Sequence, residues 1–338
     1  MRNSGLRFVC IAVIVAAIAG CSRIGRPKDY SRVEPVMGTF VQVKVYAPDR
    51  PENEVKRAID GAMELARELE KSFSAFDPES EVNKLNGAGK AKVSTELFNL
   101  IKEAKRVSDI TGGEFDITVA PVMKANGFYG DMPEELLEEI PDTFEGVGYE
   151  NVQLGADSRT VTLVNGAWID LSGIAKGYIV DRMAAYFRGK GLEGVLVNAG
   201  GDLYCGRREK GHPWKIGIRE PGGSNIVATL FLEDTAVATS GDYENVIFDE
   251  KTGEVISHII DPASDKAVKD ESTSVTVLAS SCTEADALAT GMLAMGTEKA
   301  LKLSEVLNGI EIITVYCPGK HHTVSYSSGA KKYITWRE

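Results

Sequence analysis

The chain has 338 residues, enough for one large domain or two smaller ones with ample core. Its 49 acidic against 38 basic side chains give a formal charge of −11, which argues against a nucleic-acid partner and against a polybasic membrane patch. Five cysteines with no CxxC or Cys/His ligand spacing offer neither a metal-ligand pattern nor a disulfide framework.

The first twenty residues carry Arg2 and Arg7, no acid, an apolar run over 8–18 and the small pair Ala19-Gly20 before Cys21. That pattern describes a signal peptide, because the apolar run falls well short of the ~20 residues a helix needs to span a bilayer. Ile18-Ala19-Gly20-Cys21 resembles the lipobox of bacterial lipoproteins, with Cys21 as the acylated first residue. An ordinary cleavage site beside an uninvolved cysteine is the plainer alternative. An acyl chain would anchor the protein at about 0.8 kcal/mol per buried methylene. Losing residues 1–20 removes two positive charges and leaves the mature chain more acidic. Residues 21–34, polar and basic over 22–32, are expected to be a tether, and 35–338 a single domain. Cys205, Cys282 and Cys317 are expected as buried small hydrophobes, although one disulfide would be possible in an oxidising compartment.

Alternation at Phe40, Val41, Val43 and Val45 predicts a first strand ending at Pro48. Residues 54–71 and 95–111 show apolar side chains at helical spacing, the second stopping at Gly112-Gly113. The acidic, Pro-bounded stretch 131–145 reads as a surface excursion. Short strands are expected over 152–154, 161–164 and 168–171, then a helix over 176–188 and a strand over 194–198. Further strands fall near 214–219, 228–232 and 244–260. A helix over 283–295 runs into 299–307, and strands over 311–316 and 332–335 close the chain. Strands outnumber helices and come in hairpin-like runs, so the fold class is α+β with mixed or antiparallel sheets and packed helices.

Three segments carry chemistry. The run from Trp168 through Asp170, Ser172, Gly173 and Lys176 to Tyr178 passes from an extended segment through a tight turn into a helix. Such a turn presents backbone N–H groups and a positive helix end to phosphate, with Lys176 as a mobile charge; a purely structural corner would look the same. Asp286 and Thr290, four apart on a helix, share one face and form a plausible half-site for Mg²⁺. The same helix start also reads as a cap, with Thr283 capping and Glu284 and Asp286 near the positive dipole end. Thr239–Glu244 and Ser257–Pro262 flank a hairpin-like segment. His258, one of four histidines, could serve there as a general base near neutral pH, or simply be packed.

These segments occur together and in order with Met37-Gly38-Thr39, Ser74-Ala75-Phe76-Asp77, Ser80-Glu81, Gly112-Gly113-Glu114-Phe115-Asp116 and Asn198-Ala199-Gly200-Gly201-Asp202. The whole set, across roughly residues 35–300, resembles the ApbE family of FAD:protein FMN transferases. The resemblance implies that FAD binds with Mg²⁺ on its pyrophosphate, that a Ser or Thr hydroxyl of a partner protein attacks the FMN phosphorus, and that AMP departs. It implies Asp286, Thr290 and the backbone carbonyl of Gly173 as Mg²⁺ ligands. Ala289 stands where some members have an aspartate ligand. Met37, Phe76, Glu114, Phe115, Asp116, Asp170, Lys176 and Ile260 would contact FAD, and His258 would be the general base. The implied acceptors are membrane redox-complex subunits with a motif D-x-x-[ST]-G-A-[ST], facing the periplasm or extracytoplasmic side. FAD hydrolysis to FMN and AMP, or flavin binding without turnover, are the alternatives. Ser328-Gly329-Ala330 resembles that target motif, but Ser325 and Lys331 replace its outer residues, and the segment reads as a turn.

Overall fold

The structure is a computed structural model that describes residues 29–336, except 156–157, 210, 244–245, 249–254, 262–265, 270–272 and 320. The expected signal peptide and Cys21 lie outside the described residues. No helix among the described residues is long and apolar enough to cross a membrane.

An eight-stranded, wholly antiparallel sheet organises the chain. In spatial order its strands are Asp29–Val36, Thr39–Tyr46, Val195–Ala199, Asp202–Cys205, Thr235–Gly241, Thr273–Ala279, Glu311–Tyr316 and Thr323–Tyr326. Alternation sorts the side chains of its strands into two cores. Val41, Val43, Val45, Val197, Ala238, Val275 and Val277 face the helices. Leu196, Leu203, Cys205, Val237, Leu278, Ile313 and Val315 face a three-stranded sheet of Trp214–Arg219, Ile226–Leu232 and Ile334–Trp336. The result is sheet on sheet on helices.

The helices are α1 (Glu52–Phe73), α2 (Glu81–Ala88), α3 (Thr95–Thr111), α4 (Ala120–Ala125), α5 (Glu134–Glu139), α6 (Ser172–Gly189), α7 (Cys282–Met295) and α8 (Thr297–Ser304). Helix α3 has the bounds its periodicity predicts, with Gly112 left-handed at φ 65° closing it. Helices α6 and α7 pack against each other and against the sheet, and their contact needs a missing side chain. A Cβ on Gly177 would sit 2.3 Å from the Cys282 carbonyl oxygen.

Several expectations are corrected. Residues 29–34 are not tether but most of an edge strand, paired from Asp29 with Tyr46 to Val36 with Thr39. The strand is mostly polar and half-exposed, so its pairing is made by backbone groups that composition does not register. Residues 168–171 form no ladder. The Ile169 N–H donates to Asn86 Oδ1 on α2 (2.9 Å) and the Asp170 N–H to the Ile117 carbonyl in a loop (2.7 Å), so their hydrogen bonds go to no neighbouring strand. Helix α6 starts at Ser172 rather than 176, which puts Gly173 and Lys176 in its first turns. The excursion 131–145 contains α5. Met132, Leu136 and Ile140 are buried there in a small cluster with Tyr129 and Trp168. Helix α7 is capped by Ser281, not Thr283, reinforced from outside by Asp181. Within 244–260 the described strands are Ile247–Phe248 and Val255–Asp261. Cys205, Cys282 and Cys317 are free and buried, as expected of small hydrophobes.

Candidate active site

One cavity lies where the ends of α6 and α7, the strands Thr235–Gly241 and Val255–Asp261 and the loop after α3 converge. It is lined by ten residues that the sequence singles out: Glu114, Phe115, Asp116, Asp170, Gly173, Lys176, His258, Ile260, Asp286 and Thr290. They come from four separate stretches of chain, none of them in the eight-stranded sheet, and the packing of α6 and α7 against each other and of α7 against the strand Val255–Asp261 brings them together.

Helix α6 supplies the floor. Its N-cap residue, Leu171, makes no side-chain cap bond. Gly173 lets the backbone approach Phe115 and Thr290; a Cβ there would lie 3.2 Å from Phe115 Cε2 and 3.7 Å from Thr290 Oγ1. One turn on, Lys176 Nζ sits 3.0 Å from Asp202 Oδ2 and 3.5 Å from Asp286 Oδ1. Both carboxylates are buried, while the lysine side chain keeps 32% of its surface open. Burial alone would lower the lysine's pKa; the two aspartates outweigh it and hold the ammonium charged.

Asp286 is set by its neighbours on α6. Its Oδ2 accepts the Gly177 N–H at 2.9 Å, leaving Oδ1 toward Lys176. Burial, and then the charge of Asp202, push its carboxyl pKa up to about 7, against the opposing pull of Lys176. Four residues along α7, Thr290 Oγ1 lies 3.2 Å from Ser240 Oγ on the neighbouring strand. His258, on the strand Val255–Asp261, closes the cavity opposite, half-buried.

Two of the acids have commitments of their own. Asp116 Oδ1 accepts the Thr118 N–H and hydroxyl (2.7 and 2.6 Å), and Oδ2 accepts the Tyr149 N–H (2.7 Å), so it braces two loops. Asp170 Oδ2 accepts the Tyr129 hydroxyl at 2.5 Å and Oδ1 the Ser172 N–H at 2.7 Å.

Met37 and Phe76 do not line the cavity. Met37 has φ 58° in the two-residue turn of the first hairpin and donates its N–H to Glu70 Oε1 at 2.6 Å. Phe76 is 44% exposed and meets the edge of Tyr129, the ring that holds Asp170. Sequence reasoning assigned no role to Asp202, Ser240 or Tyr129. Asp202 and Ser240 lie in motifs it named, but only adjacency in the sheet puts them beside Lys176 and Thr290.

Among the described residues, five carboxylates, Glu114, Asp116, Asp170, Asp202 and Asp286, line this cavity with one lysine, Lys176, and Glu114 is paired outside it with Lys299 at 3.6 Å. No three His, Cys, Asp or Glu side chains among the described residues form a cage by themselves. Asp286, Thr290 and Ser240 instead offer hard oxygens, a donor set suited to Mg²⁺, which usually completes its shell with water and substrate phosphates.

The architecture is that of the flavin transferases. The flavin transferase ApbE from Vibrio cholerae superposes with a TM-score of 0.76 at 28% identity, covering 91% of this chain and all of that one. The ApbE protein of Thermotoga maritima gives 0.79 at 30% identity, covering 92% and 100%. The FAD:protein FMN transferase of Vibrio cholerae is 31% identical over 329 residues, 94% of this chain and 93% of its own. That of Treponema pallidum is 29% identical over 331 residues, 92% and 91% of the two chains. The ApbE family model matches residues 37–314, and the chain belongs to the ApbE family.

Proposed function

We propose that this chain transfers the FMN moiety of FAD to a serine or threonine hydroxyl of another protein, with Mg²⁺ and with release of AMP. The supporting observation is the convergence of Lys176, Asp286, Thr290 and His258 on one cavity, in a chain similar to FAD:protein FMN transferases over 94% of its length. Asp202 and Asp286 together outweigh the one ammonium of Lys176 between them, so entry of a pyrophosphate beside them calls for a divalent cation.

Asp286 and Thr290, with the backbone carbonyl of Gly173, would hold that cation, and Ser240 braces Thr290 beside them. When bound, Mg²⁺ neutralises the pyrophosphate and makes the FMN phosphorus more electrophilic. Lys176 faces the phosphates, and Phe115 and Ile260 provide apolar wall. The acceptor hydroxyl oxygen attacks the FMN phosphorus, the anhydride bond to the bridging oxygen breaks, and AMP leaves with that oxygen. The hydroxyl proton passes to His258. Little covalent work falls to the protein, so rate comes from positioning and charge.

In the same reading Cys21 carries lipid and holds the enzyme on the extracytoplasmic side of a membrane, near redox-complex subunits that bear the D-x-x-[ST]-G-A-[ST] motif. Sharing a surface raises the effective concentration of enzyme and acceptor. Intact-mass analysis tests the activity: the protein from Ser22 onward is incubated with FAD, Mg²⁺ and an acceptor carrying the motif. An FMN adduct on the acceptor supports transfer. Free FMN and AMP with no adduct make the protein a hydrolase, and unchanged FAD leaves only a flavin-binding protein.

A further inference from the structure

Lys176 is placed between two buried carboxylates, and the arrangement is asymmetric. Nζ is 3.0 Å from Asp202 Oδ2 but 3.5 Å from Asp286 Oδ1. Asp202 is 3% and Asp286 2% exposed, so in the absence of another cation this one ammonium compensates both. Their remaining oxygens are engaged by backbone, Asp286 Oδ2 by the Gly177 N–H at 2.9 Å and Asp202 Oδ1 by the Thr239 N–H at 3.4 Å. The oxygen of Asp286 left for a metal is therefore the one the lysine faces. Thr290 Oγ1 lies one helical turn further along the same face of α7.

We propose that Lys176 stands in for the divalent cation at Asp286 in the metal-free protein, and that Asp202 is the positioning residue that takes the ammonium when the cation arrives. This rests on the metal-dependent reading of the site above. A cation and an ammonium cannot share Asp286 Oδ1 closely, since like charges in a poorly solvated site repel steeply. Without Asp202 the one carboxylate left within ion-pair distance of Nζ among the described residues is Asp286, so the lysine competes with the metal. With Asp202 it moves a short way, stays charged and stays pointed into the cavity where an anionic substrate binds. Two carboxylates around one lysine leave a formal charge of −1, which favours entry of a divalent cation. The arrangement keeps two buried carboxylates compensated when the site holds no metal, at a cost in metal affinity that Asp202 limits.

The test is calorimetric titration of Mg²⁺ alone into the metal-free protein, with no flavin and no acceptor, for wild type, Lys176→Gln, Asp202→Asn and the double variant. Lys176→Gln should bind Mg²⁺ on the order of ten-fold more tightly, because the competitor is gone. Asp202→Asn should bind it on the order of ten-fold more weakly, because the lysine closes on Asp286. The double variant should match Lys176→Gln, since Asp202 acts through the lysine. Unchanged or weakened affinity in Lys176→Gln overturns the proposal. So does an equal loss from Asp202→Asn in both backgrounds, which would make Asp202 a direct or long-range partner of the metal. If Lys176→Gln does not fold, Asp202→Asn and Lys176→Arg carry the test: Lys176→Arg keeps the charge and should keep wild-type affinity, and a gain there also overturns it. Failure of flavin transfer with this Mg²⁺ pattern intact would count against the proposed activity alone, and no Mg²⁺ binding by wild type would sink both.

Discussion

The side-chain carboxylate of Asp286 on α7 accepts the backbone N–H of Gly177 on α6 at 2.9 Å, and a Cβ at Gly177 would lie 2.8 Å from the Cβ of Asp286. The hydrogen bond that orients the proposed metal ligand therefore exists only because residue 177 has no side chain. Gly177→Ala should force the two helices apart and cost about 1–3 kcal/mol of stability. The Gly177–Asp286 hydrogen bond should lengthen as well. Urea denaturation reads the first effect and Mg²⁺ titration the second. An alanine variant with wild-type stability and wild-type Mg²⁺ affinity would show that the contact is slack.

Asp181, one turn beyond Gly177 on α6, holds the start of α7. Its carboxylate accepts the N–H groups of Cys282 and Thr283, both at 2.9 Å, and the hydroxyls of Ser281 and Thr283 at 2.7 and 2.6 Å. Those N–H groups are among the donors every helix leaves unsatisfied at its start. Asp181→Ala strands four donors in a part-buried place and should cost about 1–3 kcal/mol. Asp181→Asn should recover part of that. Equilibrium unfolding of both variants is the check, and equal stability of alanine and asparagine would assign the effect to charge alone.

Proton linkage at Asp286 has a definite sign. Its folded carboxyl is raised to about 7 from an ordinary 3.8. The metal-free folded protein therefore binds this proton more tightly than the unfolded chain does. The group's contribution to stability is full below about pH 4 and is lost as pH climbs through about 7. Mg²⁺ requires the ionised carboxylate, so its stabilising effect runs the other way. The Mg²⁺-induced rise in melting temperature should grow from about pH 5 to about pH 7 and level off above it. In Asp286→Asn the rise should be absent throughout. A shift in wild type that is flat across that range would remove Asp286 from the site.

His258 lines the same cavity as Lys176, Asp202 and Asp286. His258→Ala should leave FAD affinity within about two-fold while slowing transfer on the order of a hundred-fold, the scale of a lost general base. Flavin fluorescence titration measures the first quantity and the adduct mass the second. Equal losses in binding and rate would make the histidine a packing residue.

Much of the frame was legible because it is local. The helix over 95–111 and the strands over 152–154, 214–219 and 311–316 have the bounds that period and turn residues predict. The turn at Ser328-Gly329-Ala330 is a turn, with Ser328 Oγ donating to Glu305 Oε2 at 2.7 Å. The strand at residues 29–36 was not legible, because an edge strand without a buried apolar stripe looks like a linker. Nor was the irregular path of 168–171, whose apolar residues match a strand while its amides bond to Asn86 and Ile117.

The candidate site divides along the same line. The amino-acid sequence by itself determined which stretches hold chemistry, since Asp170, Lys176, His258, Asp286 and Thr290 all sit in segments whose glycines, acids and hydroxyls stand out locally. Only the tertiary structure decided how those groups are spent. Asp116 and Asp170 are largely taken up by loop bonds, Met37 and Phe76 stand outside the cavity, and the unassigned Asp202 holds the lysine. The physical reason is the sheet. Its order sets Val195–Ala199 and Asp202–Cys205 between the first hairpin and Thr235–Gly241, and α6 crosses beneath them. Periodicity reports which face a residue takes, whereas the partner across that face depends on strand order, which no local pattern encodes.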